Sequence, residues 1–299
     1  MIIAEKLTKR FDDIVAVNDI DLSIEEGQVF GLIGTNGAGK STFLRMLAGI
    51  YRQDAGSLTV DGEEIFENPK KKEEVFYISD DQFFFLNATP SDMKDYYAAF
   101  YPKFNRDRFS KLIRDFELDE KRKIKTFSKG MKKQLMILLG LSSGAKYLLM
   151  DETFDGLDPV MRQTVKSLIA GNLLDEGMTP VIASHNLREL EDICDHVGIL
   201  HKGGIILSQE LLDIKENIHK VQFVLPEGRN AGELKGLEIM QMESRGKMST
   251  IVVRGTEEKV RAVMESYDPV FYELIPLSLE EIFISETEVA GYDIRSLLF

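Results

Sequence analysis

Gly34-Thr35-Asn36-Gly37-Ala38-Gly39-Lys40-Ser41-Thr42 concentrates glycines, a lysine and hydroxyls in one short stretch. Gly34, Gly37 and Gly39 keep side chains out of the way, so backbone N–H groups and the start of a following helix can converge on phosphate oxygens. Lys40 adds a mobile positive charge. Ser41 offers a hydroxyl where a Mg²⁺ bridging the outer phosphates would sit, and Thr42 extends the polar helix start. An ordinary glycine-rich turn would leave the Lys-Ser pair after the last glycine unexplained. Far downstream, Lys146-Tyr147-Leu148-Leu149-Met150-Asp151-Glu152 is an apolar run ending in two carboxylates. Asp151 suits a metal held through its hydration shell, and Glu152 suits a base that accepts a proton from, or orients, a water attacking a γ-phosphate. Together these residues describe a chain that binds and hydrolyses a nucleotide.

The elements that must position them can be read from periodicity. Val29 to Ile33 is a buried-type strand before the loop, and Phe43 to Ala48 is amphipathic after it. Residues 1 to about 32 alternate like antiparallel strands, with Glu26-Gly27 a turn. Ser57 to Gly62 reads as strand and turn, and Val75 to Ser79 as a buried strand leading into Asp80-Asp81-Gln82-Phe83-Phe84-Phe85. Three adjacent aromatics at a strand exit cannot all face one core, so at least one is expected at the surface. From about Thr89 the pattern turns helical: Ser91-Asp92-Met93 caps one helix, Arg106 to Phe116 forms another, and Ser128 stands as N-cap for Gly130 to Leu141. The α/β pattern resumes with the strand to Asp151, a helix opened by Pro159, and the strand Pro180 to His185. A hairpin over Val197 to Leu207 and a helix over Glu210 to Ile218 follow. Beyond His219 the chain reads strand, turn, strand, helix, strand, helix, a small α+β appendage with no phosphate loop or metal-ligand spacing of its own.

With 299 residues and 43% hydrophobic content the chain can bury a large core. Its 37 basic and 50 acidic side chains leave a formal charge of −13, which argues against a nucleic-acid partner. Cys194 is the single cysteine, so no intrachain disulfide is possible and a reducing compartment fits. Met1-Ile2-Ile3-Ala4-Glu5-Lys6 has no basic region before an apolar core, so no secretory leader is expected there. No apolar run approaches the roughly 20 residues that cross a bilayer. Work at a membrane would go through a partner.

Phe127-Ser128-Lys129-Gly130-Met131-Lys132-Lys133-Gln134, taken with Lys40, Asp151-Glu152, Phe154-Asp155-Gly156-Leu157-Asp158 and His185 in this order, resembles the ATP-binding-cassette (ABC) ATPases over residues 1 to about 215. The resemblance implies a phosphate-loop α/β fold with a RecA-like core, an antiparallel β subdomain, a helical subdomain over about 87–143, and a cassette over 1–218 followed by the accessory domain at 219–299. It implies that Phe11 stacks on adenine with Val17 in the nucleotide-contacting set, and that Asn36 to Thr42 hold the phosphate tail. Ser128 and Gly130 would reach the ATP of a second subunit, so that two cassettes sandwich two nucleotides head to tail. Asp158 occupies the position that couples the two sites, His185 would contact the γ-phosphate, and Ser41, Asp151 and Asp80 would serve Mg²⁺.

Lys129 and Met131 stand where the commonest family segment has glycine and glutamine. These variants are similar to those of bacterial single-cassette exporters of the ABC-2 type, including exporters of antimicrobial peptides and phenol-soluble modulins. Asp80 stands where the family usually has Gln or Glu, and Gln82 is the alternative for that role. The expected protein is thus a Mg²⁺- and ATP-dependent ATPase subunit at the cytoplasmic face of the cell membrane. It would dimerise with itself or a similar cassette and work with an integral-membrane permease, without nucleic acid. A soluble relative acting on ribosomes would carry two cassettes or a long coiled coil, and this chain has one phosphate loop and no sustained heptad. A binding-only cassette would not need both Glu152 and His185.

Overall fold

The structure, a computed structural model, describes residues 1–229, 232 and 234–289, with 172–176 described by their backbone alone. The chain divides between Ile205 and Ile206 into two compact units.

In the first unit β1 (Ile2–Phe11) and β2 (Ile14–Ile24) form a hairpin in which Phe11 pairs with Ile14, and Asp12 takes φ 49 in the two-residue turn. The buried strand β3 (Phe30–Ile33) runs into the phosphate loop and α1 (Lys40–Leu47). β4 (Ala55–Val60) and β5 (Glu63–Glu64) then complete an antiparallel sheet of order β2-β1-β4-β5. Asp61 and Gly62 both take positive φ between them, 49 and 79, the backbone that matches a two-residue turn to the twist of its strands.

After α2 (Pro69–Lys72) and β6 (Val75–Ile78) come the helices α3 (Pro90–Phe100), α4 (Arg106–Asp115) and α5 (Lys129–Ser142). Then follow β7 (Tyr147–Asp151), α6 (Pro159–Glu176), β8 (Thr179–Ser184), α7 (Leu187–Glu191) and β9 (His196–His201). The order β9-β3-β8-β7-β6 is parallel throughout. β3, β7 and β8 are buried along their whole length, as a sheet covered on both faces requires. The core over it gathers Phe30, Leu32, Phe43, Leu44, Leu47, Tyr147 and Leu149.

Register is what assembles the chemistry. Ile33 pairs with Ser184 and Asp151 with Ala183, so the residues that follow (Gly34, His185 and Glu152) leave three adjacent strands in the same layer. This is the carboxyl edge of a parallel sheet, where such folds bind ligands.

The antiparallel and parallel sheets are tied at Asp61, whose carboxylate accepts from Lys146 Nζ and Tyr147 Oη, both at 2.8 Å. Burial works against ionisation there, but hydrogen bonds from Lys146, the Met1 amine and Tyr147 prevail and hold the carboxyl below its usual range. Stability from this group is therefore present above its unfolded pKa of about 4 and lost as acid carries the pH down through the folded value. Asp61→Asn is expected to cost about 1–2 kcal/mol in urea unfolding at pH 7, and less near pH 2. An equal cost at both pH values would remove the charge from the account.

The chain leaves the first unit through β10 (Gly204–Glu210) and α8 (Leu211–Asn217). A third sheet follows, built from β11 (Ile218–Val224), β12 (Glu238–Arg245), β13 (Met248–Arg254) and β14 (Phe271–Ile275), with α9 (Glu257–Ser266) between β13 and β14 and α10 (Leu279–Val289) after β14. Its order β12-β13-β11-β14, with all three neighbouring pairs antiparallel, is that of a split β-α-β unit. Val221, Phe223, Ile251, Val253, Val260 and Met264 form its core.

The division at Ile205 and Ile206 falls inside β10, and at the expected boundary of 218 and 219 α8, ending at Asn217, runs directly into β11 at Ile218. The first cap of the helical segment differs from the expected one: Thr89, not Ser91, caps α3, in a reciprocal box with Asp92 and with Pro90 in the first turn. α1 begins at Lys40, ahead of the apolar periodicity that starts at Phe43. The four-residue α2 and five-residue α7 were not anticipated. Residues 290–299 of the expected accessory domain lie outside the described residues.

Candidate active site

The loop from β3 to α1 closes tightly on its neighbours. Gly39 sits at φ 109, and a Cβ there would lie 2.2 Å from the carbonyl oxygen of Ala16, so no other residue fits. No side chain caps α1, which leaves its first-turn amides as donors toward the loop. The buried Lys40 ammonium donates to the carbonyls of Gly34 at 2.8 Å and Thr35 at 3.4 Å, and lies 3.2 Å from Glu152 Oε1. A phosphate entering the loop offers that ammonium charge-assisted bonds in place of bonds to neutral carbonyls.

Ser41 Oγ donates to Asp151 Oδ1 and Tyr77 Oη to Asp151 Oδ2, each at 3.0 Å. Burial pushes the Asp151 carboxyl above its usual range against the pull of these two donors. Burial, followed by the adjoining Asp151 charge, raises the Tyr77 phenol as well, so Tyr77 stays a donor. Sequence reasoning missed Tyr77. Its only signal is one hydroxyl among the apolar residues of β6. A carboxylate and a hydroxyl converging on one point form the hard-oxygen set that Mg²⁺ takes, so these residues fit the ion.

Glu152 follows β7 with φ 48, a left-handed conformation rare for a side chain of its size. Its Oε2 lies 2.8 Å from His185 Nδ1 and accepts from the His185 backbone N–H at 3.3 Å. The carboxylate is thus fixed between Lys40 on one oxygen and His185 on the other. Lys133, to which the sequence alone assigns no role, reaches the same place: its Nζ donates to the Glu152 carbonyl at 2.7 Å and pairs with Asp80 Oδ1 at 3.1 Å.

Lys40, Ser41, Asp151, Glu152, His185 and Asp80 therefore join one bonded group. The remaining expected site residues lie outside these bonds. Ser128 is the N-cap of α5, its Oγ accepting from the Met131 N–H at 3.1 Å. Gly130 backs onto the next loop, where a Cβ would come 3.2 Å from the Gly156 carbonyl oxygen. Asp158 accepts from the Met161 N–H at 2.9 Å ahead of α6. Phe11 is exposed, edge-on to Tyr51 at 5.3 Å with Lys9 Nζ 5.4 Å from its centroid. Val17 is fully buried in the core, and Ala38 is buried in the loop while Asn36 and Gly37 are exposed. Gln82 turns its amide back onto the carbonyls of Ser79 and Asp80, at 3.1 and 2.9 Å.

A parallel sheet with a phosphate loop at its carboxyl edge, facing a buried Asp and a clamped Glu, defines a nucleotide-hydrolysing cassette. Residues 17–155 match the ABC transporter family model. The chain is 30% identical over 286 residues to the ABC transporter ATP-binding protein YtrB of Bacillus subtilis (strain 168), covering 96% of this chain and 98% of that protein. It is 30% identical over 227 residues to the lantibiotic transport ATP-binding protein SrtF of Streptococcus pyogenes, over 74% of this chain and 95% of that one. A dimeric structure of a bacterial ABC transporter cassette shares the fold, with a TM-score of 0.64 at 20% identity over 71% of this chain and 99% of that chain. The chain belongs to the ABC transporter family, as an ATP-binding protein and ATPase of that family. The alignment with YtrB takes in the second unit as well as the cassette. Among the described residues no helix is long and apolar enough to cross a membrane.

Proposed function

We propose that this chain powers a bacterial exporter from the cytoplasmic face of the membrane, as a head-to-tail dimer seated on separate membrane-spanning subunits. The observation that carries the reading is the Glu152 carboxylate held between Lys40 and His185 beside the Ser41–Asp151 pair. The loop amides and Lys40 bind the phosphate tail, and Glu152 takes a proton from the attacking water while His185 fixes its direction. Mg²⁺, held by Ser41 and Asp151, would neutralise charge on the outer phosphates. Ser128 and Gly130, outside the bonded group of their own chain, are left to complete the site of a second copy. A peptide cargo is supported by the likeness to SrtF, whose name specifies lantibiotic transport. The net charge of −13 favours this reading over action on ribosomes or DNA.

The test is hydrolysis by the isolated chain across a dilution series. The rate is expected to rise faster than linearly with protein concentration, because each site needs two chains. Strict proportionality down to dilute protein, with light scattering reporting a monomer in the presence of ATP, would contradict the dimer.

A further inference from the structure

Lys133 is a lysine where a helix would ordinarily put one in water. It follows Lys132 near the start of α5, yet its side chain is 9% exposed. Burying an ammonium is costly unless its donors are used, and two of its contacts are with the machinery described above. One is the 2.7 Å bond to the carbonyl oxygen of Glu152, and the other is the 3.1 Å ion pair with Asp80.

The first contact bears on direction. The Glu152 N–H is held by the Ala183 carbonyl of β8 at 3.0 Å, so the strand ladder still fixes that end of the residue. Its left-handed φ then turns the carbonyl away from the ladder, where the Asp155 N–H reaches it only at 3.4 Å. Lys133 supplies the short bond that fixes this second peptide plane. With both planes fixed, the side chain leaves the backbone in one direction, toward Lys40 and His185. The second contact bears on control, because Asp80 lies on the exposed loop that continues into Phe83 and Phe85. A shift of that loop moves the partner of the ammonium that holds the Glu152 carbonyl.

We propose that Lys133 is a positioning residue: it orients Glu152 for attack and transmits the state of the Asp80 loop to turnover. The inference rests on the hydrolytic role of Glu152. Misplacing a catalytic group by about 1 Å costs on the order of a hundredfold in rate, so an intermediate loss follows when one of several restraints goes.

The experiment uses the full chain and steady-state hydrolysis. Lys133→Met keeps the packed stem and removes the donors. It is expected to lower kcat about tenfold or more, with KM for ATP and the half-saturating Mg²⁺ concentration within about threefold of the native chain. Asp80→Asn is expected to lower kcat by less, and the double variant to match Lys133→Met, because Asp80 acts through Lys133. Native kcat in Lys133→Met overturns the proposal, as does an additive double variant. A raised Mg²⁺ requirement in Asp80→Asn also overturns it, by assigning Asp80 to the metal. Should Lys133→Met not fold, Asp80→Asn decides, since its side chain is exposed: a lower kcat at native KM and native Mg²⁺ requirement supports the proposal, and native kcat defeats it. Glu152→Gln is measured in parallel. Full activity there removes the basis in Glu152 itself, whereas an inactive Glu152→Gln beside a fully active Lys133→Met defeats the positioning role alone.

Discussion

Glu152→Gln is expected to lower steady-state ATP hydrolysis by about 10²–10⁴-fold, the usual contribution of a positioned general base, while ATP binding survives. Glutamine has the same length and can still occupy the space between Lys40 and His185. It cannot accept a proton from water. The groups that grip the nucleotide do not involve this carboxylate: the loop amides remain, and the Ser41–Asp151 pair keeps its own 3.0 Å bond. Removing a negative charge beside the buried Asp151 also relieves repulsion, since the Glu152 charge is one of the influences that raise the Asp151 carboxyl. ATP should therefore be held at least as well and the ATP-bound dimer should accumulate. Nucleotide titration, light scattering with ATP and a single-turnover assay measure the three parts separately. Near-native turnover by the variant would remove Glu152 from the chemistry.

The parts of this site that could be read from the sequence are those whose function demands a local pattern. A phosphate loop needs its glycines, lysine and hydroxyl consecutively, so Gly34 to Thr42 announced themselves. Asp151 and Glu152 end an apolar strand, and Ser128 precedes a helix, both features that survive without tertiary context. That at least one of Phe83, Phe84 and Phe85 would be exposed followed from the crowding of three rings, but which of them would be was not legible. Lys133 and Tyr77 were hidden because their roles are set by what packs against them. A lysine beside Lys132 on a helix looks solvated, and a tyrosine in Val75-Phe76-Tyr77-Ile78 looks like core, until the parallel sheet brings β6 beside β7. The division between the two units was hidden because it falls inside the strand β10, where the chain carries no linker to mark a joint.

Replacing Phe83 and Phe85 together by alanine is expected to abolish transport while the isolated subunit hydrolyses ATP within about twofold of the native rate. Phe83 is 73% exposed, Phe85 44%, and Leu86 beside them 88%, with Phe84 half-buried between the two exposed rings. The exposed rings are not scattered. Phe83 meets Phe85 edge-on at 5.7 Å, Phe85 meets Tyr96 at 4.8 Å, and Tyr96 meets Phe100 at 5.0 Å, so loop and α3 present one continuous aromatic row. Tyr96 and Phe100 also line, with Pro69, Lys72, Glu73, Tyr97 and Tyr101, an open cavity of about 390 Å³. A row of this extent is costly to leave in water and has the composition of an anchor for an apolar partner segment. The hydrogen bonds and ion pairs that hold Glu152, Asp151 and Asp80 run through other side chains, which is why basal hydrolysis should persist. Under the proposed function, what should be lost is a seat for the membrane-spanning subunit, seen as failed transport and poor recovery of that subunit in detergent pull-down. The contrast with Lys133→Met is part of the test, because that substitution should slow hydrolysis and leave recovery of the partner intact. Normal transport by the folded double-alanine variant would rule out this row as the docking surface.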